Sequence, residues 1–149
     1  MLKISPTAYA SLRRHGEETY PNECCGALLG RFGDDGAKTV SRAVRCGNTR
    51  EDSPQNRYNI DPKELIRIQR EGRERGEDVV GFYHSHPDHD AYFSATDRAQ
   101  ACSFDPSEPD YPETRYIVMS VRGGKFVRAA AFVWDAARRE FVETTLEVL

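Results

Sequence analysis

Apolar and polar positions along this chain alternate with two periods, and the places where the period changes mark out the elements. Behind Ser5-Pro6, an N-cap followed by proline at the first helical position, Tyr9, Leu12 and Arg13 recur at helical spacing, and this helix should stop before Pro21. The compact apolar run CCGALLGRF ends in the turn signal GDDG, and KTVSRAVRC alternates as a returning strand, so the two form a hairpin. The polar stretch Asn48–Gln55 reads as a loop and NRYNI as a short strand. Asp61-Pro62 then opens a second helix, with an apolar stripe of Leu65, Ile66 and Ile68, that ends near Gly72 or Gly76. DVVGFYHSH has the valines and aromatics of a buried strand. Ser94-Ala-Thr-Asp97 is a capping box with Asp in place of Glu, and DRAQAC is the helix it starts. The proline- and acid-rich segment Ser103–Thr114 is a surface loop. TRYIVMSV, KFVRAAAFVWD and REFVETTLEV follow as three strands joined by tight turns at RGG and DAAR. The expected fold is α/β, a mixed sheet flanked by two or three helices, in a single domain over residues 1–149.

Length supports that picture. A chain of 149 residues can bury roughly 68–70% of the surface its unfolded form exposes, so it needs no covalent staple. No apolar run approaches the eighteen or so residues of a membrane span. The N-terminus MLKISPTAYASLRRHGEE lacks the uninterrupted apolar core of a signal peptide, so a cytoplasmic location and no membrane partner are expected. The net charge of −3, with acids and bases interspersed, offers no broad basic face, which argues against nucleic acid. Arg67, Arg70, Arg73 and Arg75 are matched by Glu64, Glu71, Glu74 and Glu77 and read as a solvated helix face. The cysteines Cys24, Cys25, Cys46 and Cys102 form no C-x-x-C pair and no regular framework, and read as reduced, partly buried thiols.

The chemistry concentrates in GFYHSHPDHDAYFSATD. On a strand His84 and His86 point to one side, with alpha carbons roughly 6.6 Å apart, and Ser85 to the other. Two imidazoles at that spacing can converge on one ion about 2.0–2.1 Å from each nitrogen. The connection from Pro87 to Thr96 is long enough to fold the next helix back, which brings Asp97 to the same ion. Two imidazoles and a carboxylate suit Zn2+ and leave a fourth position for water. Taken singly, Ser94 is explained as an N-cap and Asp97 as a first-turn acid favoured by the helix dipole. Their joint arrangement with the histidines is what points to a metal.

H-S-H-P and S-x-x-D, with seven residues between His86 and Ser94, together resemble the JAMM or MPN+ metalloproteases, the JAB family of proteasomal and endosomal deubiquitinating enzymes and their small bacterial relatives. Residues like E-x-C-G-x-L-L-G near Glu23, and R-Y-N-I-D-P before the second helix, extend the resemblance over nearly the whole chain. It implies a JAB/MPN-type, cytidine-deaminase-like mixed sheet. It implies His84, His86 and Asp97 as zinc ligands, Ser94 as the side chain that helps hold the tetrahedral intermediate, and Glu23 as the catalytic carboxylate. Composition and spacing do not choose Glu23 over Glu17 or Glu18. His89, three positions after His86, is a further candidate ligand, and Cys24 and Cys25 are held as core residues.

The resemblance implies hydrolysis of the amide bond after the C-terminal Gly-Gly of a ubiquitin-like protein. The loops Asn48–Gln55 and Ser103–Thr114 are too brief for long ubiquitin-gripping insertions. The short bacterial type therefore points to a ubiquitin-like sulfur carrier as partner, with cysteine released in cysteine biosynthesis. The alternatives are an isopeptidase acting on protein conjugates and a non-catalytic MPN scaffold, against which the intact ligand set argues. Zinc deamination is set aside because H-x-E with a later P-C-x-x-C is absent. A homodimer is left open.

Overall fold

The computed structural model describes residues 1–33, 37–48 and 60–149. Its elements are β1 (Leu2–Ile4), α1 (Pro6–Thr19), β2 (Cys25–Phe32), β3 (Lys38–Cys46), α2 (Pro62–Glu74), β4 (Asp78–Pro87), α3 (Ala95–Ala101), β5 (Arg115–Arg122), β6 (Lys125–Asp135), β7 (Glu140–Thr144) and β8 (Leu146–Val148). The strands form one mixed sheet in the order β7-β6-β5-β4-β2-β3-β1-β8. The expected mixed α/β architecture is observed.

Helix boundaries follow local chemistry. The Ser5 hydroxyl accepts from the Ala8 amide, Pro6 opens α1, and the helix stops at Thr19, before Pro21. Asp61 caps α2 by accepting from the Lys63 amide. The charged face of α2 is solvated as expected, with Arg67 3.1 Å from Glu71 one turn on. Glu77 departs from that face and pairs with Arg42 at 3.1 Å.

Three sequence expectations change. The buried stripe of α1 runs through Ala8, Leu12, His15 and Gly16, where strands cover the helix; of the expected Tyr9, Leu12 and Arg13, Leu12 is in the core, Tyr9 packs half-buried at its margin and Arg13 is exposed. Ile66 on α2 is exposed, while Ile68 and Gly72 are buried: only one side of α2 meets the sheet. The last predicted strand, REFVETTLEV, is divided at Thr145 into β7 and β8. The predicted NRYNI strand lies, apart from Ile60, outside the described residues.

That division shapes the molecule. β7 lies on one edge of the sheet and β8 on the other, yet only Thr145 separates them. One residue spans no more than a few ångströms, so the sheet must curl until its edges meet. The Leu2 amide bonds the Thr145 carbonyl at 2.8 Å at that seam. Inside the curl, Ala8 and Leu12 of α1 pack against Leu28, Val40, Tyr83, Ile117 and Met119. Each such fully buried large side chain contributes roughly 1.5–3 kcal/mol. On the outer face, Ile68 of α2 packs on Cys25, Ala27 and Leu29, and Ala101 of α3 joins Tyr116, Val118 and Phe132.

The sheet alternation puts Tyr83 and Ser85 inside and His84 and His86 outside, between α2 and α3. Cys25 is in register with His84, and His86 with Ser120 of β5. Gly26 is required beside Tyr83, since a methyl group there would overlap the tyrosine ring. With that space kept, the Tyr83 hydroxyl reaches His15 Nδ1 at 2.7 Å and ties α1 to the histidine strand.

Candidate metal centre

β4 delivers both imidazoles at its C-terminal end. The chain then turns through Asp88–Phe93 and returns as α3, whose first turn brings Asp97 over them. Asp97 Oδ1 lies 3.0 Å from His84 Nε2, and Oδ2 lies 3.1 Å from His86 Nε2. Asp97 is held there by the predicted capping box: the Ser94 amide donates to Asp97 Oδ2 at 2.9 Å and the Asp97 amide donates to Ser94 Oγ at 3.0 Å. Helix start and candidate ligand are thus one structure.

Glu23 sits between α1 and β2, one strand from His84. Ligand atoms of Glu23, His84 and His86 all lie within 4.8 Å of one another, and the three residues are buried. The four groups predicted to share a centre, Glu23, His84, His86 and Asp97, are therefore brought together. Glu17 and Glu18 are not: Glu17 accepts from the Phe126 amide and Glu18 pairs with Arg45 at 2.6 Å.

The donor set fits a dication. Glu23 Oε2 is buried and has no hydrogen-bond partner among the described residues, a costly arrangement for a polar atom unless an ion or water completes it. His86 Nδ1 is 2.9 Å from the Asp90 carbonyl. A carbonyl can only accept, so Nδ1 carries a proton; that leaves Nε2, 3.1 Å from Asp97 Oδ2, as the nitrogen that donates to the carboxylate or, once deprotonated, offers its lone pair to an ion beside it. Burial pushes the Glu23 carboxyl up to about 8, with Asp97 adding to the rise and His86 opposing it. Burial would also raise Asp97, but the imidazoles of His84 and His86 hold it well below the usual carboxylate range. Burial disfavours charge on His86, and the Asp97 carboxylate outweighs it, so that imidazole is raised.

A cleft of about 170 Å³ opens beside the centre, lined by Glu23, His86, His89, Tyr92, Ser94 and Thr96. Ser94 uses a lone pair for the cap, so its O–H remains available as a donor to this cleft. His89 lines the cleft beside Glu23 and His86. The four cysteines are free and buried. Burial pushes Cys24 and Cys46 up to about 12 and raises Cys25 as well, so none supplies a thiolate at neutral pH. Two supporting features escaped the sequence: the Asp90 carbonyl, which no side-chain pattern marks, and Ser120, a lone polar residue in the apolar strand YIVMSV that could have been noticed.

Known proteins carry the same arrangement of chain. A family model described as prokaryotic homologues of the JAB domain matches residues 5–135. The desampylase of Haloferax volcanii is 34% identical over 151 residues, covering 99% of this chain and 96% of its own. The CysO-cysteine peptidase of Mycobacterium tuberculosis is 33% identical over 108 residues, covering 72% of this chain and 65% of its own. Among solved structures, a Desulfitobacterium hafniense protein superimposes with a TM-score of 0.81 at 27% identity, over 100% of this chain and 93% of that one. A Salinibacter ruber protein gives 0.73 at 35% identity, over 99% and 91%. The match from Ser5 to Asp135 spans every element that builds the candidate centre, and by it this chain belongs to the prokaryotic JAB-domain family.

Proposed function

We propose that this chain is a zinc-dependent peptidase that hydrolyses the amide bond after the C-terminal Gly-Gly of a ubiquitin-like sulfur carrier, releasing cysteine. The observation that carries the reading is the convergence of Glu23, His84 and His86 within 4.8 Å, closed by Asp97 at 3.0 and 3.1 Å. His84, His86 and Asp97 would hold the ion. When bound, zinc supplies Lewis acidity to a carbonyl and acidifies water to a pKa of about 7.

The chain's own residues do the rest. Glu23 takes a proton from the attacking water as its oxygen bonds to the scissile carbon, and delivers that proton to the amine as the C–N bond breaks. The raised Glu23 carboxyl is the consequence of burial; a nearby dication opposes burial and restores the carboxylate form needed to accept a proton. Ser94 donates its O–H to the developing oxyanion while its lone pair keeps the helix capped. The buried thiols of Cys24 and Cys25 take no part. The reaction is that of one domain over residues 1–149, acting in the cytoplasm.

The relative named as a CysO-cysteine peptidase supports cysteine as the leaving group. The relative named as a desampylase matches more of the chain, and it favours a second reading in which the same chemistry removes a ubiquitin-like modifier from a protein. Intact mass spectrometry decides between them. A carrier ending Gly-Gly-Cys and a modifier in isopeptide linkage to a lysine are incubated with zinc-loaded protein, with Glu23→Ala in parallel. Loss of one cysteine by wild type alone supports the first reading, and cleavage of only the isopeptide supports the second. Neither cleavage, with zinc verified in the protein, overturns both.

A further inference from the structure

Three consecutive carbonyls after β4 are each taken by a different group. The Asp88 carbonyl accepts from the Arg122 guanidinium at 3.3 Å, the His89 carbonyl from the Ser120 hydroxyl, and the Asp90 carbonyl from His86 Nδ1 at 2.9 Å. The last of these holds a ring whose other nitrogen faces the metal centre. The orientation of His86 therefore depends on where the peptide after Asp90 points, and that depends on how the turn is anchored.

The Tyr92 amide donates to the Asp90 carbonyl at 3.1 Å from within the turn, and two anchors tie the turn to the rest of the fold. Outside, the Asp88 carboxylate accepts from the Tyr20 hydroxyl at 2.7 Å and from the Gly123 amide at 2.9 Å, which holds Asp88 at a φ of 60°, a left-handed conformation unusual for a side-chain-bearing residue. The Arg122 guanidinium also pairs with the Asp90 carboxylate. On the buried side of the turn, Ser120 is 1% exposed and stands on β5 in register with His86, on the same outer face of the sheet. Its hydroxyl is the buried donor that reaches the turn.

We propose that Ser120 is a positioning residue for the metal centre: by holding the His89 carbonyl it directs the Asp90 carbonyl onto His86 Nδ1 and so keeps the Nε2 lone pair turned toward the ion. This rests on the reading of His84, His86 and Asp97 as ligands. Ser120 touches neither the cleft nor the reacting atoms. Hydrogen-bonding partners of a ligating histidine commonly change metal affinity by roughly 10–100-fold when lost, which sets the size of the effect.

The test compares wild type with Ser120→Ala, reading zinc affinity by chelator competition and, in zinc-free protein, solvent exchange of the His86 Nδ1–H by proton–nitrogen NMR. The expected result is a protected Nδ1–H in wild type, rapid exchange in Ser120→Ala, and zinc affinity lower by roughly 10–100-fold, with turnover restored by excess zinc. An unchanged exchange rate with affinity within about twofold, well below the range expected for a lost histidine partner, overturns the proposal. Should Ser120→Ala not fold, Arg122→Gln releases the same turn from the exposed side and is read by the same two measurements. Wild type that binds no zinc overturns the functional reading instead, while the exchange comparison still decides the role of Ser120.

Discussion

Ser85 and Cys24 are bonded to each other twice. The Cys24 amide donates to Ser85 Oγ at 2.8 Å, and the Ser85 amide donates to the Cys24 carbonyl at 3.2 Å. Ser85, facing away from the centre, thus locks the chain that carries Glu23 to the strand that carries His84 and His86. Ser85→Ala leaves the buried Cys24 amide without its acceptor, so a stability loss of about 1–3 kcal/mol is expected, measured by urea unfolding of zinc-free protein. A loss below about 0.5 kcal/mol, the bottom of the range for an ordinary hydrogen bond, shows that the side-chain bond adds nothing to the lock.

Glu23→Ala should keep zinc and lower turnover by about 10²–10⁴, the contribution of a general base. Metal content by elemental analysis and cleavage by mass spectrometry are read on the same sample. Turnover near the wild-type rate removes Glu23 from the mechanism.

His84→Ala and Asp97→Ala should instead lose the metal. For wild type the zinc affinity should fall as pH falls: protons compete for the imidazoles, and the raised His86 binds its proton more tightly than a free histidine does. A titration from neutral to mildly acidic pH that leaves affinity flat contradicts a histidine-ligated ion.

Ser94 has two roles that separate by substitution. Glycine at an N-cap costs only a few tenths of a kcal/mol, whereas alanine costs about 1 kcal/mol. Ser94→Gly should therefore melt close to wild type yet lose roughly 10²–10³ in turnover, because the hydroxyl donor is gone. Full activity in that variant leaves Ser94 as a cap alone.

The His15 pair gives a stability signature independent of the metal. Burial first, and Arg45 second, lower the imidazole from 6.5 to about 4 in the folded protein. Below 6.5 the unfolded chain gains a proton that the folded chain refuses. Stability should thus fall between pH 6.5 and about 4 and then level off. After solvent screening the loss is about 2 kcal/mol. His15→Gln should flatten this part of the profile in urea unfolding; an unchanged slope assigns the loss to other groups.

Much of this protein was legible because local rules decide it. Ser5-Pro6, Asp61-Pro62 and Ser94-x-x-Asp97 start their helices through caps that need no distant partner. Strand alternation by itself puts His84 and His86 on one side. A Ser94 cap that returns its Asp97 to the end of the same strand follows from the length of the connection. Resemblance was needed to choose Glu23 over its neighbours, because nothing within α1 or the turn after it distinguishes one acid from another; the pairing of Cys25 with His84 and the two Cys24–Ser85 bonds bring Glu23 to the histidines.

Tertiary structure alone decided the rest. The three-residue strands β1 and β8 are too short to carry a period, and they exist because the curled sheet offers an edge on either side of Thr145. Which face of α1 is buried depends on strands from six places in the chain, so the stripe at Ala8, Leu12, His15 and Gly16 could not be read from the helix itself. The hold on His86 passes through a backbone carbonyl at Asp90 and a hydroxyl at Ser120, thirty residues further on. Sequence period reports how a side chain faces its own element; which groups meet across elements is set by long-range pairing, and that is where this centre acquires its support.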